Sequence, residues 1–195
     1  AKNWKLKKNT KFYSIRAGDI NSEKVKNIIT SNNADIIAVY GTSLLNNTIL
    51  NNNKKFVNIH LGLSPYYKGM ACTLWPFYNK EPQYVGVTVH LLDNKIDNGP
   101  ILHQDLVNFE IKDTIHDGSM KVIKSGVRLL AKSISEYFNK KLISYKQDSS
   151  MGKTFYLHNM NDQIIKNIEN YWTEKKFNEY IKNQDNLKKK IKYYK

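Results

Sequence analysis

The sequence predicts an α/β domain with an open, mostly parallel sheet and flanking helices. Three observations support this fold class. Residues 35–40 form a continuous apolar run of the length of a buried parallel strand. Residues 56–60 and 84–92 are two further strand-like segments. Residues 113–138 carry apolar side chains near helical spacing, which predicts a long amphipathic helix.

The remaining elements are predicted from capping residues and apolar patterns. In chain order they are a helix capped by Asn21 and Ser22, a short helix over residues 72–79, a strand over residues 101–109, a strand over residues 153–157, and helices from Asp162 and Thr173. Asp113 and Thr114 cap the long helix. His103 is expected on the surface of its strand.

Length and composition limit the class of protein. A chain of 195 residues suits one domain that can bury a core, and no apolar run approaches the roughly 20 residues of a membrane span. The basic N-terminus has no apolar segment behind it, so we expect no signal peptide. Cys72 is the only cysteine, which excludes a disulfide framework and favours a reducing, cytoplasmic setting. Cys72 itself is expected to be a small core residue.

The net charge of +14 is concentrated at the two ends of the chain. Residues 1–18 carry six Lys or Arg and no acid, and residues 139–195 carry thirteen Lys and six acids. Arg16 and Arg128 are the only arginines, whereas surfaces that bind phosphates favour the fork of arginine. A solvated basic tail is therefore favoured over a nucleic-acid surface.

Two polar side chains at the end of a predicted strand organise the candidate site. Asn58 and His60 lie two apart, so on a strand they point to the same side. Polar groups there are costly to bury unless they are satisfied, and open α/β sheets bind ligands at the carboxyl ends of their strands. Asp97 follows the strand at 84–92 in a polar loop, and the three side chains could converge. Taken alone, Asn58 and His60 could also simply hydrogen-bond the local backbone.

Three motifs stand in order along this region. They are Asn58-Ile-His60 with Leu63-Ser-Pro-Tyr-Tyr-Lys-Gly69, then Gly86-Val-Thr-Val-His90, then Ile96-Asp-Asn-Gly-Pro-Ile101. Together they resemble the folate-dependent formyltransferase family, which includes methionyl-tRNA formyltransferase, glycinamide ribonucleotide transformylase and the sugar N-formyltransferases. The similarity covers about residues 17–157, and three motifs at family spacing make it specific. The sequence of residues 61–69 most resembles the sugar N-formyltransferase branch of this family.

The resemblance implies a Rossmann-like formyltransferase fold, with 10-formyltetrahydrofolate as co-substrate and no metal. Asn58, His60 and Asp97 match the family's catalytic Asn-His-Asp positions, and His90 is expected to pack or hydrogen-bond beside them. The folate is expected between the segment after the first buried strand and the loop before Asp97. The residues concerned are Gly41, Thr42, Ser43, Leu44, Leu45, Asp93 and Asn94. Without the motifs, Gly41 would indicate no more than a tight turn.

Formyl transfer to an amine assigns a role to each residue of the triad. An amide N–H of Asn58 suits the developing oxyanion. His60 can exchange protons near neutral pH. Asp97 is expected to hold and polarise His60, or to accept the amine proton through water.

The expected acceptor is a small-molecule amine on a nucleotide-linked amino sugar. An initiator tRNA is the less favoured acceptor, and a non-catalytic nucleotide- or nucleic-acid-binding α/β domain is the alternative from another class. Residues 1–157 are expected to form the catalytic core, and residues 158–195 a lysine-rich helical C-terminal tail. The resemblance implies a first strand and helix before residue 17, so the core is expected to be N-terminally incomplete, or else its sheet is built differently.

Overall fold

A computed structural model describes residues 10–194 of the protein. The strands are β1 (Ile36–Val39), β2 (Lys55–His60), β3 (Tyr67–Gly69), β4 (Gly86–Leu91), β5 (Ile101–Leu106) and β6 (Lys153–Phe155). The helices are α1 (Glu23–Ser31), α2 (Asn47–Leu50), α3 (Trp75–Tyr78), α4 (Ile115–Phe138), α5 (Asp162–Tyr171) and α6 (Glu174–Lys188). The first half of the basic N-terminal lead-in, residues 1–9, lies outside the described residues. Within residues 10–194, no helix combines the length and the apolar composition needed to cross a membrane.

The main sheet has the strand order β1-β2-β4-β5. β1 and β2 are parallel, whereas β2 pairs with β4, and β4 with β5, in antiparallel fashion. The β4–β5 pairing follows from its connection, because residues 92–100 are too few for the crossover of roughly a dozen residues that a parallel pair needs. The predicted α/β class with an open sheet and flanking helices is confirmed, and the pairing within the sheet is mixed.

Helix α4 covers one face of this sheet. Thr114 begins the helix through a reciprocal capping box, in which its hydroxyl accepts the Asp117 N–H and the Asp117 carboxylate accepts the Thr114 N–H. The apolar side of α4 packs against β4, β5 and β2. His103 of β5 lies beneath the helix, with its Nε2 2.7 Å from Oε2 of Glu136. The surface position expected for His103 is therefore wrong, because α4 buries this part of β5.

A second, two-stranded sheet pairs β3 with β6 in parallel. The ring of Phe155 stacks on Tyr67 and on Trp75, with centroid distances of 5.6 and 4.5 Å. The final strand was expected over residues 153–157 but ends at Phe155, and it pairs in this second sheet rather than in the main sheet. Its partner β3 lies in a segment that contains Pro65 and Gly69, residue types typical of turns.

Helices α5 and α6 pack against the same core as the main sheet. Phe177 contacts the rings of Phe77 and Phe109, and Trp172 donates its indole N–H to the Phe77 carbonyl at 2.8 Å. Gln184 both accepts from and donates to the backbone of Phe109. The helices expected after residue 158 are confirmed. Their apolar side is buried while most of their lysines are exposed, so the segment is a packed layer rather than a solvated tail.

Candidate active site

A cleft of about 470 Å³ opens at the carboxyl ends of β1 and β2. Because these strands are parallel, the segments that follow them meet at one edge of the sheet. The lining consists of residues 40–45, 58–61, 69–73, 92, 95–97 and 155–157. Ligand sites of open α/β sheets lie at this position, so the cleft is the candidate active site.

Most of the residues predicted to contact the folate border this cleft. Gly41, Thr42, Ser43, Leu44 and Leu45 all line it. The Leu44 side chain is half exposed there, whereas Leu45 is buried in the small core between α1, α2 and β1. Leu44 is therefore the member of this segment best placed to offer an apolar wall to a ligand.

Two predicted folate contacts lie outside the lining formed by the described residues. Asp93 instead accepts the backbone N–H of Lys95 at 3.0 Å, which shapes the loop, and Asn94 is exposed beside it. The same loop lines the cleft through Leu92, Lys95 and Ile96. The loop thus borders the cleft through neighbours of Asp93 and Asn94.

The three predicted catalytic residues lie together, because Asn58 and His60 both contact the carboxylate of Asp97. Oδ2 of Asp97 lies 3.2 Å from Nδ1 of His60, and Oδ1 accepts from Nδ2 of Asn58 at 3.3 Å. Asn58 and His60 reach the same carboxylate because alternate residues of a strand point to the same side. All three residues line the cleft.

The environment of Asp97 keeps its carboxylate ionised. The backbone N–H of Gly69 donates to Oδ2 at 2.8 Å. Gly69 has a φ of 92°, and a Cβ there would overlap the carbonyl of Phe155, so the position requires glycine. Burial raises the pKa of Asp97, but His60, His90 and the Gly69 N–H outweigh burial and lower the pKa to about 2. Asp97 is therefore a fixed negative charge at neutral pH.

His60 is buried between two hydrogen-bond acceptors. Nδ1 faces Asp97, and Nε2 lies 2.8 Å from the carbonyl oxygen of Tyr67. Burial lowers the pKa of the imidazole below its ordinary value of 6.5, and the Asp97 carboxylate opposes this effect. A neutral imidazole can donate to only one of the two oxygens, whereas the protonated ring donates to both. His60 is thus a neutral base whose protonated form has a partner for each N–H.

His90 completes the cluster from the neighbouring strand. It is fully buried on β4, opposite Asn58. Nδ1 donates to the Leu91 carbonyl at 2.8 Å, which leaves Nε2 to accept from Asn58 Nδ2 at 3.1 Å. The two N–H bonds of Asn58 are thereby directed to His90 and Asp97. The hydrogen-bonding role expected for His90 is confirmed, while its contact with Asn58 follows from a strand register that sequence motifs do not specify.

Two segments of the lining were not predicted as parts of the site. Residues 69–73 include Cys72, which is buried as expected and whose thiol pKa is raised by burial. The thiol is therefore protonated at neutral pH and is a poor nucleophile. Residues 155–157 place the exposed apolar side chains of Tyr156 and Leu157 beside the cleft. Only the β3–β6 pairing brings these distant segments together, and no sequence motif signals it.

The cleft of this α/β domain contains an ionised carboxylate, a neutral buried histidine and an amide. Such a set of groups suits proton-coupled group transfer to a small substrate. The chain belongs to the formyl transferase family, because the model of that family matches residues 5–134. The family resemblance inferred from the motifs is thereby confirmed.

Three relatives illustrate the similarity. A methionyl-tRNA formyltransferase from Caldanaerobacter subterraneus is 30% identical over 115 residues, which are 57% of this chain and 36% of that protein. A 4-N formyltransferase from Francisella tularensis is 29% identical with a TM-score of 0.60, over 71% of this chain and 56% of that chain. The formyltransferase PseJ from Anoxybacillus kamchatkensis, solved with UDP-4,6-dideoxy-4-formamido-L-AltNAc and tetrahydrofolate, is 26% identical with a TM-score of 0.58, over 66% of this chain and 67% of that chain. The chain spans about a third of the first curated relative and about half of the Francisella structure.

Proposed function

We propose that this chain is the catalytic core of an enzyme that transfers the formyl group of 10-formyltetrahydrofolate to a primary amine of a nucleotide-linked amino sugar. The observation that carries the proposal is the cluster of Asn58, His60 and Asp97 in the cleft of a formyl transferase domain. The proposed catalytic residues all precede residue 158, and helices α5 and α6 share the hydrophobic core of the main sheet.

His60 is proposed to move the proton. The amine nitrogen attacks the formyl carbon, loses a proton, and the carbon–N10 bond of the folate breaks as N10 takes a proton up. His60 is neutral at pH 7 because burial lowers its pKa, so the ring nitrogen that carries no proton can accept one. Nε2 lies 2.8 Å from the Tyr67 carbonyl, to which the protonated ring donates. The protonated ring then donates to Asp97 as well.

Asp97 is proposed to hold and polarise His60 rather than to accept the amine proton. With a pKa of about 2 it is a weak base at neutral pH. Its negative charge instead stabilises the imidazolium while the tetrahedral intermediate exists, as the carboxylate of other catalytic triads does.

Asn58 is proposed as the oxyanion donor. One of its N–H bonds is directed to His90 at 3.1 Å, and the other to Asp97 at the longer distance of 3.3 Å. The second bond can turn to the formyl oxygen as negative charge develops, because catalytic hydrogen bonds often tighten only in the transition-state complex. Loss of such a donor typically costs about 2.7–4 kcal/mol of transition-state stabilisation.

The similarity to the Francisella 4-N formyltransferase and to PseJ supports a sugar nucleotide as acceptor, since PseJ was solved with a UDP-linked formamido sugar. Methionyl-tRNA is the second candidate. It is favoured by the curated relative of that name and by the net charge of +14. The basic side chains are nearly all lysine, and arginine is the residue that phosphate-reading surfaces prefer, which supports the sugar nucleotide.

The test is formylation of each acceptor by the purified protein with 10-formyltetrahydrofolate. A polyanion held by six or more lysines should lose roughly 10³-fold in affinity between about 50 and 200 mM salt, because binding releases counterions. A sugar nucleotide carries far fewer charges, so we expect robust turnover with a shallow salt dependence.

Two results would contradict the proposal in different ways. Steeply salt-sensitive formylation of methionyl-tRNA, without turnover of amino-sugar nucleotides, would transfer the assignment to tRNA. Failure to formylate any amine while the protein still binds folate would identify a non-catalytic domain.

A further inference from the structure

We propose that Gln147 is a positioning residue that fixes the loop carrying Asp97 and thereby sets the contact between Asp97 and His60. The inference rests on the proposed function for its kinetic consequences, and on geometry alone for its effect on His60. Gln147 lies fifty positions beyond Asp97, outside every motif of the candidate site.

The amide of Gln147 joins two carbonyl groups of the loop. Its Nε2 donates to the Asp97 carbonyl at 3.0 Å and to the Gly99 carbonyl at 2.6 Å. The side chain is only 7% exposed, so water competes little for these bonds. The Ser64 hydroxyl also donates to the Asp97 carbonyl, at 3.2 Å. The Asp97 carbonyl is therefore held by Gln147 and Ser64, while its carboxylate is held by the Gly69 N–H.

The loop needs such a restraint at Asp97. Asp97 has a φ of 46°, a left-handed conformation that residues other than glycine adopt rarely. Conformations of this kind persist only where the surrounding structure over-determines them. The loop of residues 92–100 contains no helix or strand of its own, and the bonds to the Asp97 carbonyl come from outside the loop.

Gln147 is itself anchored to the main sheet. Two residues before it, Tyr145 exchanges reciprocal backbone hydrogen bonds with Ile101, both at 2.8 Å, and its ring stacks on Tyr194 with centroids 4.4 Å apart. Oε1 of Gln147 is buried without a hydrogen-bond partner among residues 10–194. A buried acceptor without a partner lowers the stability of the fold. The Gln147 amide therefore stabilises the protein only through the two hydrogen bonds that its nitrogen donates.

Loss of the amide should loosen the contact between Asp97 and His60. Gln147→Leu keeps a buried side chain of similar size but removes both donors. The titratable groups that act on the His60 pKa are Asp97 and His90, and of the two the Asp97 carboxylate is the one that raises it. A displaced carboxylate therefore lowers the His60 pKa further. We also expect kcat to fall about 10- to 100-fold, the scale of an ångström-sized misplacement in an active site.

Gln184→Leu is the matched control. Gln184 is also 7% exposed and also hydrogen-bonds a backbone carbonyl, but at Phe109, which lies outside the cleft lining. The His60 pKa is measured by NMR titration of the imidazole in wild type and in both variants, with His60→Asn for assignment. Folate binding and kcat are measured in parallel.

The proposal requires a lowered His60 pKa and a reduced kcat in Gln147→Leu, with folate affinity retained, and neither change in Gln184→Leu. An unchanged His60 pKa in folded Gln147→Leu, or an equal shift in Gln184→Leu, would overturn it. Should Gln147→Leu fail to fold, Gln147→Asn retains an amide that is one methylene too short to join both carbonyls, and the same shift is required of it. Since the titration needs no turnover, it tests the positioning role even if the proposed formyl transfer is not observed.

Discussion

At the scale of single residues, the charge of Asp97 determines what its neighbours can do. Asn58, His60, His90 and the Gly69 N–H all approach one carboxylate within 2.8 to 3.4 Å. A carboxylate with this many partners remains ionised, and a buried imidazole beside it remains neutral until it accepts a proton. This division of protonation states is what proton-coupled formyl transfer needs.

Because His60 and Asp97 are proposed to act on one intermediate, their substitutions should not add. His60→Ala and Asp97→Asn should each lower kcat by about 10²- to 10⁴-fold, and the double variant should be little worse than the more damaging single variant. Steady-state kinetics with circular dichroism as a folding check measures this. His116→Ala is the control, since His116 is exposed at the start of α4. Near-normal turnover by His60→Ala would remove His60 from the mechanism.

At the scale of elements, the site is built where segments leave the strands. Residues 40–45 follow β1, and the predicted triad uses the end of β2 and the loop after β4. These positions are apparent from the sequence because apolar strands, capping residues and loop residues are local signals. The contribution of β6 to the cleft is not apparent, since its partner β3 lies in a stretch with turn residues.

The segment after β1 provides a test of the proposed folate pocket. Leu44→Asp places a charge at a half-exposed apolar wall of the cleft. A poorly solvated charge should cost about 1–3 kcal/mol against an apolar ligand, which corresponds to roughly 10- to 100-fold weaker folate binding. The folate KM should therefore rise more than kcat falls.

Folate titration of Leu44→Asp beside Met120→Asp gives the comparison. Met120 is 54% exposed on α4 and is not among the residues that line the cleft, so its variant should bind folate normally. Equal folate affinity in the two variants would remove residues 41–45 from the pocket.

At the scale of the whole molecule, the lysine-rich C-terminal helices are part of the core. Phe177 is buried among the rings of Phe77, Phe109 and Trp172. Charge composition alone predicted a solvated tail for this region. The apolar face of α5 and α6 determines where these helices lie, because the free energy of folding becomes more favourable each time a large aromatic side chain is removed from water.

Removal of that anchor should therefore destabilise the entire domain. Phe177→Ala should lower the free energy of unfolding by about 3–5 kcal/mol, the usual cost of truncating a buried phenylalanine. Urea denaturation followed by circular dichroism measures it. Phe138→Ala, at a 62% exposed position on α4, should change the free energy by about 0.5 kcal/mol or less. A Phe177→Ala variant as stable as wild type would show that α5 and α6 do not support the core.

The sequence by itself determined the α/β class, the starts of the helices and the placement of Asn58 and His60 on one side of a strand. Strand periodicity and helix capping depend on residues a few positions apart, so both can be predicted from short segments of the sequence. Only the tertiary structure decided the antiparallel pairing of β2 with β4, the burial of His103, the β3–β6 pairing and the reach of Gln147 to Asp97. These features depend on contacts between residues far apart in the chain, and such contacts become favourable only once the intervening elements have packed and offset the entropy of closing the loops between them.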